Sequence, residues 1–324
     1  MNAPLPVSPF VVADALRLDP AKFQDPDRTA RGEPRAFVSL ESLQTLWLNT
    51  GTLCNLACLN CYIESTPTND SLAGLTAGEA RAYLDEIASL GLKTREIGIT
   101  GGEPFMNPDI LTILEDGLER GFEVLVLTNA MTPMTHRRPG LLALKDRFGD
   151  RLTLRVSLDH WTAAVHEAER GPASWNRAIE GLQWLSQQGF SIAVAGRQLA
   201  DETMQDARHG YGRLMASLGV VLDCQNPARL VLFPEMDATV DVPEITTACW
   251  DILHKRPQDI MCASSRMVVK RRGADHPVVI ACTLTPYDPQ FELGSTLAEA
   301  LGTVKLNHPH CARFCVLGGA SCSG

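Results

Sequence analysis

The stretch Leu46-Trp-Leu-Asn-Thr-Gly-Thr-Leu-Cys-Asn-Leu-Ala-Cys-Leu-Asn-Cys-Tyr62 runs from an apolar segment into a loop holding three cysteines, Cys54, Cys58 and Cys61. The apolar segment has the composition and length of a buried strand, so the thiols stand just beyond its carboxyl end. Three thiolates from one short loop can hold three irons of a cubane and leave the fourth iron open to an external ligand. An open iron implies chemistry. Structural zinc takes four closed ligands, commonly in paired short spacings, and no fourth Cys or His lies near this loop. A zinc site completed from a distant residue is the alternative. A disulfide is a weaker reading still. The chain has ten cysteines, and its N-terminus MNAPLPVSPF shows neither a basic region nor a long apolar stretch. That combination points to a reducing, cytoplasmic setting, where close thiols are more often metal ligands than bridges.

Outward from this loop the same unit repeats. Apolar segments near 45–50, 95–100, 123–128, 152–158, 190–196 and 229–233 read as strands, and amphipathic stretches near 76–90, 108–120, 138–148, 174–188 and 201–218 as helices between them. In the first helix Thr76 and Glu79 form a T-x-x-E capping box, Ala80, Tyr83, Leu84, Ile87 and Leu90 keep helical spacing, and Gly91 stands where a C-cap belongs. Six β-α units in series need crossovers of one hand and a parallel sheet, so the expected fold is α/β, a barrel or partial barrel. Functional groups in such a sheet collect at the carboxyl ends of the strands.

The 324 residues, 45% hydrophobic and 21% charged, suit an ordinary globular protein of two domains, or one large α/β domain with an appendage, able to bury a full core. We expect an irregular arm over 1–40, the barrel over 41–240 and a cysteine-rich unit over 241–324. No run approaches the length of a membrane span, and a formal charge of -9 disfavours nucleic-acid binding. Lys270-Arg-Arg272 reads as a solvated turn.

After the second strand comes Gly101-Gly-Glu-Pro104. Two glycines allow close backbone approach to a ligand, Pro104 stiffens the exit, and Glu103 can receive a cationic amine. Leu127-Thr-Asn-Ala130 closes the third strand, and Arg155-Val-Ser-Leu-Asp159 the fourth, followed by His166 and Arg170-Gly171. His160, Arg197 and Glu235 also stand near strand ends and are candidate substrate contacts.

Together, Cys54-x3-Cys58-x2-Cys61 followed by Tyr62, Gly101-Gly-Glu-Pro104 and the later strand-end motifs resemble the radical S-adenosylmethionine (SAM) superfamily over residues 45 to 235. The resemblance implies a partial (β/α)6 TIM-like barrel. It also implies that Cys54, Cys58 and Cys61 bind a [4Fe-4S] cluster whose open iron chelates the amino and carboxylate groups of SAM. Gly101, Gly102 and Glu103 would border the amine, Tyr62 would help seat the adenine, Ser157 would bond the ribose or methionine part, and Arg170 the carboxylate. Otherwise Ser157 and Asp159 cap the next helix and Arg170 forms an ion pair. The chemistry implied is one-electron cleavage of SAM to methionine and a 5′-deoxyadenosyl radical, which takes hydrogen from a substrate. A donor such as flavodoxin or ferredoxin would supply the electron.

Seven cysteines remain, five of them in the last 63 residues. Cys262 and Cys282 flank Arg266-Met-Val-Val-Lys270, a Gly273 turn and Val278-Val-Ile-Ala281, which reads as a β-hairpin; the tail adds Cys311-x3-Cys315-x6-Cys322. This region resembles a twitch or shortened SPASM domain, including Phe291-Glu-Leu-Gly-Ser295. It departs from that pattern in the long gap from Gly273 to Cys282 and in its tail spacing. Two thiolate-bound auxiliary clusters would need eight cysteines, so one auxiliary [4Fe-4S] cluster is favoured, on Cys262, Cys282, Cys311 and Cys315, with Cys322 the rival for the last position. A four-thiolate zinc site is the alternative. Cys224 and Cys249 read as buried apolar thiols, although a thiol near the substrate would suit hydrogen return in an epimerase.

The leading functional reading is hydrogen abstraction from a small metabolite or peptide, with net oxidation assisted by the auxiliary cluster. An arm of about 40 residues is short for a peptide-recognition domain and leans the reading toward a small molecule. The rivals are an epimerase, a peptide maturase, and a non-catalytic iron-sulfur or zinc protein, which leaves Gly101-Gly-Glu-Pro104 without a task.

Overall fold

The computed structural model describes residues 17–199, 201–234 and 237–319. Six strands follow the expected alternation: β1 (Thr45–Asn49), β2 (Glu96–Thr100), β3 (Glu123–Thr128), β4 (Leu152–Ser157), β5 (Ser191–Arg197) and β6 (Leu230–Phe233). The main helices are α1 (Ala77–Ser89), α2 (Ile110–Glu119), α3 (Arg138–Phe148), α4 (Ala163–Arg170), α5 (Ser174–Gln187) and α6 (Met204–Leu218). Both halves of the capping box on α1 are made: Glu79 N–H donates to Thr76 Oγ1 at 3.2 Å, and Thr76 N–H to the Glu79 carboxylate at 2.9 Å. Helix α4 has no counterpart in the expected series. Its inward face is polar, carrying buried His166 and Glu169, so hydrophobic periodicity does not mark it.

Strands β1 to β6 pair in chain order and in parallel. Among the described residues β6 pairs only with β5, so the sheet stays open as a partial barrel. Its two faces are sorted by the period of two along each strand. Leu46 and Leu48 join Ile97, Ile99, Val124 and Val126 under the helices, whereas Trp47 and Leu125 join an inner cluster with Met267 and Val269. Gly98 is required by that inner packing, since a Cβ there would lie 2.4 Å from the Trp47 ring.

The C-terminal hairpin forms as expected, with β7 (Ser265–Arg271) antiparallel to β8 (Val278–Ile280), and β9 (Glu292–Gly294) adds beside β8. Its docking is new. β7 runs parallel to β1, with Thr45 opposite Ser265 and Leu48 opposite Val268, so β7 to β9 continue the barrel sheet to nine strands, and the short strand Leu72–Ala73 pairs with β7 as a tenth. On the N-terminal side, Phe37–Val38 pairs antiparallel with Val304–Lys305, and buried Arg35 is paired with Glu244. Among the described residues no helix is long and apolar enough to cross a membrane.

Candidate cofactor and metal sites

The carboxyl ends of the strands open onto a cavity of about 1150 Å³ counted with its open mouth. Cys54, Cys58 and Cys61 line it together with Tyr62, Gly101, Gly102, Ser157, Asp159 and Arg170. The structure therefore gathers onto one wall residues spread over more than a hundred positions. Burial pushes the Cys54 thiol up to about 11 and the Cys58 thiol up to about 12, with the neighbouring thiols adding to the effect. Free thiolates are disfavoured there, so a bound cation would have to supply the compensating charge. None of the described cysteines forms a disulfide. Among the described residues no three His, Cys, Asp or Glu side chains are arranged to hold a single metal ion.

Gly101 and Gly102 are glycines because the cysteine loop lies on them. A Cβ at Gly102 would meet the Leu53 carbonyl oxygen at 2.2 Å, and one at Gly101 the Gly51 carbonyl oxygen at 2.7 Å. In this contact Gly102 N–H donates to Gly51 O at 2.8 Å and Glu103 N–H to Leu53 O at 3.1 Å. The close approach that the two glycines permit is thus first to protein backbone, and it seats the three thiols.

Glu103 stands behind the cavity wall, fully buried. Its carboxylate accepts from Thr128 Oγ1 at 2.8 Å, Asn129 N–H at 2.8 Å and Phe105 N–H at 3.3 Å. Three of about four acceptor positions are taken, which leaves one. Burial lifts its pKa to about 7 against those hydrogen bonds. With the folded value above the unfolded one, Glu103 contributes stability that is complete below pH 4.5 and is lost as pH rises through about 7. Melting of the metal-free chain should show this loss, about 2–3 kcal/mol between pH 5 and 8, and Glu103→Gln should flatten it.

Arg170 makes a two-point ion pair with Asp159, Nε to Oδ2 at 2.6 Å and Nη2 to Oδ1 at 3.1 Å. Burial works against its charge, but Asp159 and the thiols of Cys58 and Cys54 outweigh it and raise its pKa. A guanidinium has five donors, so three remain beyond this pair. Sequence reasoning passed over Glu169, the residue beside it. Glu169 accepts from Asn60 N–H at 2.8 Å, its backbone carbonyl accepts from Leu59 N–H at 3.0 Å, and its carboxylate lies 3.1 Å from Arg197. It ties α4 to the cysteine loop. Only the spacing of His166 and Glu169, three apart on one helical face, was present in the sequence, and their burial comes from the fold.

His160 lies off the cavity, 2.7 Å from Thr162 Oγ1 and 3.6 Å from Glu202, whereas Arg197 lines it with Arg155. Glu235 lies outside the described residues. A second, smaller cavity of about 370 Å³ is walled by Cys262, Cys282, Cys311 and Cys315 with Met261, Phe291 and His310. Cys322 lies outside the described residues. Leu284 lines both cavities, and Phe314, next to Cys315, lines the first. Cys224 is buried and Cys249 half-buried, and neither lines either cavity.

The family model of the radical SAM superfamily matches residues 48–208. Through that segment the chain belongs to the radical SAM superfamily. Membership in this superfamily implies a [4Fe-4S] cluster and SAM. The chain is 32% identical over 144 residues to an AdoMet-dependent heme synthase of Methanosarcina barkeri, covering 44% of this chain and 38% of that one. It is 32% identical over 143 residues to the antilisterial bacteriocin subtilosin biosynthesis protein AlbA of Bacillus subtilis, covering 44% and 30%. These matches span well under half of either relative. Streptococcus suis SuiB, solved with S-adenosylmethionine and with precursor peptide SuiA, shares the fold: with the former the TM-score is 0.56 at 12% identity over 78% of this chain and 63% of that one.

Proposed function

We propose that the chain is a radical SAM oxidoreductase that removes hydrogen from a carbon of its substrate, and that a second [4Fe-4S] cluster takes the electron left behind. The cluster on Cys54, Cys58 and Cys61, with SAM, supplies a one-electron cleavage of the sulfonium C–S bond when bound. The residues of the chain orient and enclose. The glycine pair sets the cysteine loop, Arg170 offers donors to the SAM carboxylate, Ser157 and Tyr62 face the nucleoside, and Phe233, Leu127 and Phe314 exclude water from the radical. In balance, the substrate would give up a hydrogen atom from one C–H to the nucleoside carbon, one electron to the second cluster, and a proton from an adjacent position to solvent.

The observation that carries the oxidative reading is the wall shared by the two cavities. Leu284 lines both, so the four-thiol cavity and the first meet at that side chain. We assign the tail to a twitch-like unit on that ground. A peptide is the substrate class we favour, against the lean drawn from the short arm, because AlbA is named for bacteriocin biosynthesis and SuiB was solved with a precursor peptide.

Anaerobic reconstitution with iron, sulfide, SAM and dithionite tests the proposal. Cluster-loaded protein should release 5′-deoxyadenosine, and a loaded protein that releases none is not a radical SAM enzyme. Product formed in deuterated water should carry no new carbon-bound deuterium. Retained deuterium would move the assignment to an epimerase.

A further inference from the structure

We infer that Arg266 is the fixed counter-charge of the second cluster, a positioning residue that raises the reduction potential of that cluster; this rests on the assignment of the four-thiol cavity above. Arg266 lies on β7 and is 1% exposed. Among the described residues its guanidinium donates only to backbone carbonyls: Nε to Ala300 O at 2.8 Å, Nη1 to Cys262 O at 2.6 Å and to Ser265 O at 2.8 Å, and Nη2 to Gly302 O at 2.8 Å. Buried Arg35 and Arg197 each face a carboxylate, Glu244 and Glu169, and half-buried Arg170 faces Asp159. Among the described residues no carboxylate forms an ion pair with Arg266. The groups whose charge reaches it are the thiols of Cys262 and Cys282.

A buried cation satisfied by neutral carbonyls alone is costly, because carbonyls meet its hydrogen bonds but do not cancel its charge. In the metal-free chain the described residues offer this guanidinium carbonyl oxygens and no carboxylate, so its charge stands uncompensated. Four thiolates around a cubane carry excess negative charge, so loading the cavity would supply the missing partner. The hydrogen bond from Nη1 to the Cys262 carbonyl also fixes the turn that presents this ligand. Reduction adds one negative charge to the cluster, and a fixed positive charge nearby stabilises the reduced form. Arg266 thereby biases the second cluster toward taking an electron, which is the direction the oxidation needs.

The rival role is a staple in which the hydrogen bonds matter and the charge does not. The full-length chain with Cys54, Cys58 and Cys61 all replaced by alanine isolates the second cluster, and its midpoint potential can be followed by EPR during a redox titration. Arg266→Met and Arg266→Gln should both lower the potential, and Arg266→Lys, which keeps the charge without the fork, should hold it near the parent. An unchanged potential in the methionine and glutamine variants overturns the inference. If the methionine variant loads no cluster, full loading in the lysine variant supports the charge, and equal loss in both overturns it in favour of the staple. A parent that binds no [4Fe-4S] cluster defeats the underlying assignment itself, and the inference with it.

Discussion

Cys58→Ala, reconstituted anaerobically, should lose the first cluster and with it 5′-deoxyadenosine formation, by on the order of 100-fold or more, since loss of outer-shell partners alone commonly costs about 10–100-fold. Three thiols line the first cavity, and a site that already leaves one iron open has no spare ligand. If the C-terminal thiols hold a second cluster as proposed, that iron should survive and total iron should fall by about half. Retention of the nucleoside product above a tenth of the parent rate would remove the thiol from the ligand set.

Gly102→Ala should be nearly as damaging by a different route. The added methyl would sit 2.2 Å from the Leu53 carbonyl oxygen and 2.6 Å from its carbon, both backbone atoms, so no side-chain rotation relieves the clash. Overpacking of this kind costs about 1–3 kcal/mol and more where backbone must move. Here the backbone that moves carries Cys54 one residue on. The expected result is a folded protein with a lower melting temperature and a weakened first cluster, read by melting and by iron retention against a chelator. Gly212→Ala, inside α6 with open space around the new methyl, is the control: it should leave iron retention unchanged and raise the melting temperature slightly, as Ala replaces Gly in a helix. Equal iron retention in the Gly102 and Gly212 variants would show that the loop does not depend on this contact.

Much of the barrel was legible because its signals are local. The strand bounds expected at 123–128 and 152–158 match β3 and β4 almost to the residue, and the Thr76–Glu79 box marked the start of α1 from four residues of text. The hairpin around Gly273 was legible for the same reason. The glycine pair was found, but the first reason for it, the backbone of residues 51–53 pressed against it, was not, since nothing near Gly101 names its neighbour. Glu103 was read as a ligand contact and stands one layer behind the wall, holding Thr128 and Asn129. Glu169 went unnoticed because an acidic residue in a short helix reads as solvated until the fold buries it.

By itself the order of residues determined the thiol spacing, the six alternating units and the clustering of chemistry at strand ends, because each is written within a turn, a strand or a loop. Only the tertiary structure decided that β7 lies beside β1, about 220 residues away, that Glu169 underpins the cysteine loop, and that Leu284 divides two thiol-lined cavities. Such pairings depend on which buried surfaces meet once the sheet curls, and a contact between distant segments leaves no period or spacing in either one.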